Sequence, residues 1–320
     1  MFGKTNQHVW ALFGALLLLP VLDGCDKAEV SKVPVWAENS MITTDGRLFV
    51  SGATNIYEVV KDEDGTFVPH PLYNKTEMFM GLAQRGDYLY AIIGGNTRAL
   101  LIADLNSLSL DPEQNASEGI FTIIPLSDYN LPQLGKKTFQ MPNGMCIDDD
   151  GYIYITDESA GRIMRFHIVD NDPTQIEDLV VWIDTAAHAP NGIAIKGDTL
   201  YFTECLKGEV KKVEIQADGS PGDISVLYTR PCLSIFDDLA IFGQGVMVAS
   251  CGEGKVIYIS DGDDEERRGK VLFETSPQTF LIPTSVSVGR APMFGPGDLI
   301  VTEGGGGNIS LIHPALPGTE

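Results

Sequence analysis

The stretch from Asn143 to Phe166, NGMCIDDDGYIYITDESAGRIMRF, decides the fold. It holds an alternating run, Tyr152 to Ile155, between two clusters of turn-forming residues, which is the pattern of a short strand bounded by turns. The same pattern returns at Asn191 in NGIAIKGDTLYFTECLKGEVKKVEI. Self-similarity at a fixed spacing is typical of repeat architectures, so one supersecondary unit is being used again.

Further copies of this unit continue along the chain. Asp237 begins DDLAIFGQGVMVASCGEGKVIYI and Thr284 begins TSVSVG, so successive starts are 48, 46 and 47 residues apart. Weaker copies begin at Glu38 and Met80, which makes six units. Four short strands in about 45 residues is the size of a propeller blade. The sequence therefore predicts an all-β fold, a six-bladed β-propeller with four antiparallel strands per blade.

The ends of the repeat region predict how the ring closes. Only about three strands fit after Thr284, so we expect the last blade to take its outer strand from the segment near Val30 to Trp36. Such closure removes an open sheet edge. A spacing of 63 residues between the second and third units predicts an insertion around Asn106 to Lys137. Residues 25–320 are thus expected to form one domain, although length alone suggests two at about 150 residues each.

Composition excludes several classes of protein. The chain has 22 Lys and Arg against 44 Asp and Glu, a net charge of −22, and no basic run. Nucleic acid and anionic membrane surfaces are therefore not expected partners. A hydrophobic content of 43% excludes global disorder. Many of the acids are expected in turns, as are Asp148, Asp149 and Asp150.

The N-terminus has the pattern of an export signal. Lys4 precedes an uncharged apolar run of 14 residues, Val9 to Leu22, which is too short for a membrane span. The sequence Leu22-Asp23-Gly24-Cys25 resembles a bacterial lipobox, so residues 1–24 are a predicted signal peptide and Cys25 a predicted lipidation site. The alternative is a plain secretory signal cleaved near Gly24. We expect an exported lipoprotein facing the periplasm or cell exterior, touching the membrane only through its lipid.

Four cysteines follow Cys25 at spacings that match no zinc motif. In an exported protein they could oxidise, and three pairings are then open. They are Cys146, Cys205, Cys232 and Cys251.

The residue that opens each unit is expected at the central channel, because six innermost strands converge there. These positions hold Glu38, Met80, Asn143, Asn191, Asp237 and Thr284. Four of them carry oxygen ligands, which suit calcium, and the absence of His and Cys argues against zinc or copper. One calcium ion is predicted, with another divalent cation as an alternative. Asp238 is either a further ligand or a solvated neighbour.

This pattern resembles the six-bladed propellers of the senescence-marker-protein/gluconolactonase superfamily, which includes diisopropyl fluorophosphatase and the paraoxonases. The resemblance spans roughly Val35 to Ile312 and is carried by Glu38, Pro142-Asn143-Gly144, Pro190-Asn191-Gly192 and Asp237-Asp238. It implies a catalytic calcium held by Glu38, Asn143, Asn191 and Asp237, with Asp238 closest to the paraoxonase version. Met80 stands where paraoxonases have a histidine, and Gly144 stands where they have an acid for a second calcium.

The expected function is calcium-dependent hydrolysis of a small lactone or ester. Calcium would polarise the carbonyl, and Asp237 would activate water or attack directly, with Glu38 holding the metal. One alternative is a non-catalytic calcium-binding lipoprotein that serves as a binding or scaffold module. A lyase or isomerase using the same metal site is a third.

Further side chains are candidates for the substrate pocket. Met80 and Thr284 are expected to leave part of the metal's surroundings free. His188 is either a proton shuttle or a surface-loop residue. Three aromatic residues are expected either to form an apolar rim around the substrate or to pack in the core: Phe139, Phe236 and Phe280. Glu204 and Glu303 end second strands near the same mouth and are expected to be solvated.

Overall fold

The structure, a computed structural model, describes residues 27–126, 139–169, 172, 175–184, 189–230 and 234–314. The predicted signal peptide, Cys25, His188 and Cys232 lie outside the described residues. Within that part of the chain, 24 strands form six antiparallel sheets of four strands each. The predicted six-bladed β-propeller is confirmed.

The first strand of the chain, β1 (Lys27–Lys32), belongs to the last blade. Blade 1 contains β2 (Ala37–Ile42), β3 (Leu48–Gly52), β4 (Ile56–Lys61) and β5 (Phe67–Pro71). Blade 2 contains β6 (Phe79–Arg85), β7 (Tyr88–Ile93), β8 (Ala99–Asp104) and β9 (Phe121–Pro125). Blade 3 contains β10 (Pro142–Ile147), β11 (Tyr152–Asp157), β12 (Arg162–Ile168) and β13 (Ile176–Asp184).

Blade 4 contains β14 (Pro190–Lys196), β15 (Thr199–Glu204), β16 (Glu209–Glu214) and β17 (Ser225–Thr229). Blade 5 contains β18 (Phe236–Phe242), β19 (Gly245–Ser250), β20 (Lys255–Ser260) and β21 (Val271–Glu274). Blade 6 contains β22 (Pro283–Val288), β23 (Leu299–Glu303) and β24 (Asn308–Ile312), completed by β1.

One short helix, α1 (Pro112–Ser117), lies inside the predicted insertion, where the Asp111 side chain caps it through the N–H of Glu113. Two single 3₁₀ turns follow second strands, at Glu158–Ala160 and Cys205–Lys207. No helix among the described residues is both long and apolar enough to cross a membrane.

The ring closes as the repeat arithmetic predicts, because β1 pairs antiparallel with β24 from Lys27 opposite Ile312 to Lys32 opposite Asn308. The closing strand begins before the predicted segment and ends within it. Beyond Lys32 the chain turns, since Val35 has a φ of 70° and the Trp36 N–H donates to the Pro34 carbonyl. Pro34 has no N–H to continue a ladder, so the strand stops there.

The hydrophobic core consists of layers between neighbouring blades. Second strands such as β3 and β19 are buried along their whole length, because blades cover both of their faces. Outer strands such as β21 are only half-buried. This gradient explains why the inner strands show strong apolar patterns and the fourth strands weak ones.

A β-bulge marks the start of the innermost strand in blades 1 to 5. In β10, for example, two residues between Pro142 and Met145 face the single residue Thr156 of β11. The same two-against-one pairing occurs in β2, β6, β14 and β18. Bulges redirect side chains, and each of these contains the residue that opens a repeat unit.

Candidate functional site

One backbone hydrogen bond is repeated in all six blades and shows which residues are equivalent. The residue that follows each second strand donates its N–H to a carbonyl two residues before the opening residue of the same blade. The bonds measure 2.8 to 3.2 Å and join Ala53 to Trp36, Gly94 to Met78, Glu158 to Met141, Cys205 to Ala189, Cys251 to Ile235 and Gly304 to Ile282.

Two sets of six residues follow from this repeat. The first ring is the set that opens the innermost strands: Glu38, Met80, Asn143, Asn191, Asp237 and Thr284. The second ring is the set that follows the second strands: Ala53, Gly94, Glu158, Cys205, Cys251 and Gly304. The first ring places all four predicted oxygen ligands at equivalent positions around one axis.

Buried threonine hydroxyls tie the first ring together across blades. The Thr156 hydroxyl accepts from the Gly144 N–H in its own blade at 2.8 Å and donates to the Asn191 carbonyl in the next. The Thr302 hydroxyl donates to the Glu38 carbonyl at 3.3 Å. Gly192 shows how tightly these backbones approach, because a Cβ there would lie 2.4 Å from the Asp238 Cα. Asn-Gly at the opening of a blade therefore reflects close backbone packing as well as ligand chemistry.

The two carboxylates of the first ring sit in an environment that disfavours their charge. Burial raises the pKa of Glu38 to about 7, an effect that the Trp36 indole N–H opposes by donating to the carboxylate and that Glu158 and Asp238 reinforce by repulsion. Burial, then repulsion from Glu38, Glu158 and Asp238, raises the pKa of Asp237 well above its usual range.

Glu158 is a site residue that the sequence analysis missed. The Asn143 Nδ2 donates to its carboxylate at 3.1 Å, and burial raises the pKa of Glu158. The clue was the offset: Cys205 and Cys251 each lie 14 residues after a first-ring residue, and Glu158 lies 15 after Asn143 because that hairpin is one residue longer.

Asp238 is not a solvated neighbour of Asp237. Its side chain is 9% exposed and accepts hydrogen bonds from the Asn39 Nδ2 at 2.8 Å and the Ser285 hydroxyl at 2.9 Å. Burial raises the pKa of Asp238 to about 6. The residue lines a central cavity of about 400 Å³ bounded by the innermost strands. Its role as a further ligand remains a prediction.

The residues fit a hard cation. Glu158 raises the pKa of both Glu38 and Asp237, and Glu38 also raises that of Asp237. Among the described residues no Lys, Arg or His figures in the causes of the pKa shifts of these three acids. Such a cluster of acids lacks a positive counter-charge, and a divalent ion would supply one. Two carboxylates and two carboxamides are oxygen donors of the kind calcium takes. No group of three or more His, Cys, Asp or Glu side chains within the described ranges is arranged to hold a metal.

Comparison with known proteins shows which solved structures share this fold. No family model matches the chain, and no curated protein matches by sequence. The gluconolactonase XC5397 of Xanthomonas campestris is a structural match with TM-score 0.65 and 17% identity, covering 92% of this chain and 90% of that one. The chain has the gluconolactonase propeller fold.

Two other structures of this type agree. A luciferin-regenerating enzyme matches with TM-score 0.64 and 16% identity, covering 91% of this chain and 96% of that one. The calcium-binding protein regucalcin of Agrobacterium tumefaciens matches with TM-score 0.62 and 14% identity, covering 91% and 96%. The resemblance to the gluconolactonase superfamily is thus confirmed as a likeness of fold, over almost the whole described propeller.

Several residues that were predicted to line the substrate pocket of this gluconolactonase-type propeller have structural roles instead. Phe139, Phe236 and Phe280 are 0%, 0% and 3% exposed and pack in cores between blades, so an apolar rim built from them is wrong. Met80 is buried beside Gly94 and fills space there. The Thr284 hydroxyl donates to the Ala37 carbonyl at 2.8 Å, which links blades 6 and 1. Neither residue lines the central cavity that Asp238 lines.

The acids that end the second strands are structural. Glu204 and Glu303 are fully buried, so the expectation that they are solvated is wrong. Glu303 pairs with the Lys27 Nζ at 2.7 Å and accepts from the Leu281 N–H at 2.6 Å. Asp157 has the same role in blade 3, where its carboxylate pairs with the Arg162 guanidinium at 2.7 Å. Glu303 and Asp157 anchor the loops that lead into the first ring, because each accepts from a backbone N–H there.

The described cysteines are free thiols, so no disulfide forms among Cys146, Cys205 and Cys251. Burial and then repulsion from Asp237 raise the pKa of both Cys205 and Cys251. Both thiols therefore stay neutral beside the first ring.

Proposed function

We propose that this chain is a calcium-dependent hydrolase of a small lactone or related ester. The observation that carries the proposal is the first ring, where Glu38 and Asp237 share one axis with the carboxamides of Asn143 and Asn191. These four residues would hold the ion. The shared fold with a gluconolactonase and a calcium-binding protein supports the same reading. Fold alone does not fix an activity, so the site carries the argument.

Calcium bound here would act as a Lewis acid toward the substrate carbonyl. Asp237 is the candidate general base, because it is a carboxylate of the first ring and its raised pKa makes it a stronger proton acceptor than an ordinary aspartate. It would remove a proton from water while the water oxygen bonds to the carbonyl carbon. The C–O bond to the ring oxygen would then break as the carbonyl re-forms, and that oxygen would take the proton from Asp237 and leave as the alcohol. Trp36 donates its indole N–H to Glu38 and so holds that carboxylate in place.

The second candidate is a non-catalytic calcium-binding propeller that serves as a binding or scaffold module. It is favoured by the likeness to regucalcin, which is described as a calcium-binding protein. Export, with lipidation at Cys25, stays a prediction under either function.

A calcium titration of metal-free protein separates these candidates. Hydrolysis of a panel of lactones and aryl esters is followed by acid release, and thermal stability is measured in the same samples. Calcium-dependent turnover supports the hydrolase. Stabilisation by calcium without turnover supports the scaffold. If calcium causes neither turnover nor stabilisation, the metal site is rejected. Glu38→Gln and Asp237→Asn should abolish turnover, while Asp149→Asn, a change in an exposed turn acid, should not.

A further inference from the structure

The second ring is strongly asymmetric. In blades 1, 2 and 6 it holds the small residues Ala53, Gly94 and Gly304. In blades 3, 4 and 5 it holds side chains that can hydrogen-bond, namely Glu158, Cys205 and Cys251. Both carboxamides of the first ring belong to this second group of blades, Asn143 to blade 3 and Asn191 to blade 4.

A carboxamide ligand has an orientation problem that a carboxylate does not have. Only its Oδ1 can bind a cation, while its NH₂ group must point to an acceptor elsewhere. Metal ligands are commonly oriented by such outer partners. In this site the Asn143 carboxamide finds an acceptor from the second ring of its own blade.

The contact of Asn143 supplies this acceptor. The Asn143 Nδ2 donates to the Glu158 carboxylate at 3.1 Å. A carboxylate oxygen can accept from the NH₂ group, so this contact selects the orientation that keeps the Asn143 Oδ1 free for the axis.

The carboxylates of the first ring show the complementary arrangement. Glu38 has no N–H to direct, and the second ring of its blade holds Ala53, while the Trp36 indole donates to it. Asp237 likewise has no N–H, and the Cys251 thiol of its blade donates to the Ile235 carbonyl at 3.3 Å. In blade 3, by contrast, the second ring supplies an acceptor to the first-ring carboxamide of Asn143.

We propose that Glu158 is a positioning residue that holds Asn143 with its Oδ1 toward the axis and thereby sets the affinity for the cation. This inference rests on the proposed calcium site. It assigns Glu158 no contact with substrate.

The test measures calcium binding to metal-free protein by calorimetry, with no reliance on activity. Glu158→Ala should weaken binding about 10- to 100-fold, the usual cost of losing an outer partner. Glu158→Gln keeps an acceptor oxygen without the charge and should recover most of that loss.

The matched control is Cys251→Ala, which removes the equivalent second-ring side chain from a blade without a carboxamide and should change the affinity less than twofold. NMR signals of the Asn side-chain amides supply a second readout, because Glu158→Ala should shift the NH₂ pair of Asn143 even without calcium.

Four results would overturn the proposal. Glu158→Gln binding as weakly as Glu158→Ala would mean that charge alone matters, and Cys251→Ala binding as weakly as Glu158→Ala would mean general packing. Unchanged affinity in Glu158→Ala, with calcium binding to the wild type, would reject positioning but leave the proposed function standing. No calcium binding by the wild type would reject both.

Discussion

The Thr203 hydroxyl donates to the Asp237 backbone carbonyl, 2.6 Å away in the next blade, and accepts from the Gly192 N–H of its own blade at 2.9 Å. Thr203 is fully buried. One hydroxyl thus connects the first-ring bulges of two neighbouring blades, so the position of Asp237 depends on blade 4 as much as on its own.

Thr203→Val should destabilise the protein by about 2–4 kcal/mol. The isosteric change leaves a buried N–H and a buried carbonyl without a partner, and each such group costs about 1–3 kcal/mol. The control is Thr203→Ser, which keeps the hydroxyl and loses one methyl, worth about 1 kcal/mol. Urea unfolding of metal-free protein gives both values. Equal stability of the two variants would mean that the hydroxyl links contribute nothing.

Glu38→Gln should stabilise metal-free protein at pH 8 and remove the stabilisation by calcium. The ionised Glu38 is buried among other acids, so neutralising it should raise the free energy of unfolding by about 1–3 kcal/mol. Thermal unfolding with and without calcium measures both effects. Asp149→Asn is the control and should leave both unchanged. A destabilised Glu38→Gln variant that still responds to calcium would contradict the assignment.

Metal-free protein should lose stability as pH rises from about 4.5 to about 7. The pKa of Glu38 is raised from 4.5 to about 7, so in this window the folded chain binds more protons than the unfolded chain. The loss from this group is about 3 kcal/mol at most and is complete above the folded pKa. Asp238 adds to it between 3.8 and about 6.

Calcium should reverse this pH trend, because it competes with protons for the same carboxylates. The shift in melting temperature caused by calcium is therefore expected to be larger at pH 8 than at pH 5. A shift independent of pH would mean that calcium binds elsewhere.

Gly192→Ala should lower the free energy of unfolding by about 1–3 kcal/mol, which is the usual cost of overpacking, and should weaken calcium binding. The added Cβ would lie 2.4 Å from the Asp238 Cα and 2.8 Å from the Asp237 carbonyl, and backbone atoms cannot move aside as a flexible side chain can. Gly297→Ala is the matched control, since a Cβ there meets nothing within 4 Å. Chemical denaturation and calorimetry measure the two effects.

The fold was predictable because its signal is repetitive. Six units in one register fix the number of blades, and the shortage of strands after Thr284 predicts closure by an N-terminal strand. The first ring followed from the same register. Each unit was weak evidence alone, but equivalent positions in a closed ring must point toward one axis.

What the sequence did not reveal depends on partners that are distant along the chain or that differ between blades. Glu158 was missed because its equivalents are Cys, Ala and Gly, so no residue type recurs at that position. The burial of Glu303 depends on Lys27, which reaches it only after the ring has closed. Phe236 precedes Asp237 by one residue, and spacing alone could not decide whether it faces the channel or the core.

The closing strand also determines how the molecule would respond to force. Lys27 at the start of β1 lies opposite Ile312 at the end of β24, so a pull on the two chain ends acts at the same end of this pair. The load would fall first on Lys27 and its contacts with Glu303 and the Thr279 carbonyl, and then on one backbone bond after another. The ring would open by peeling rather than by shear, starting at the last blade.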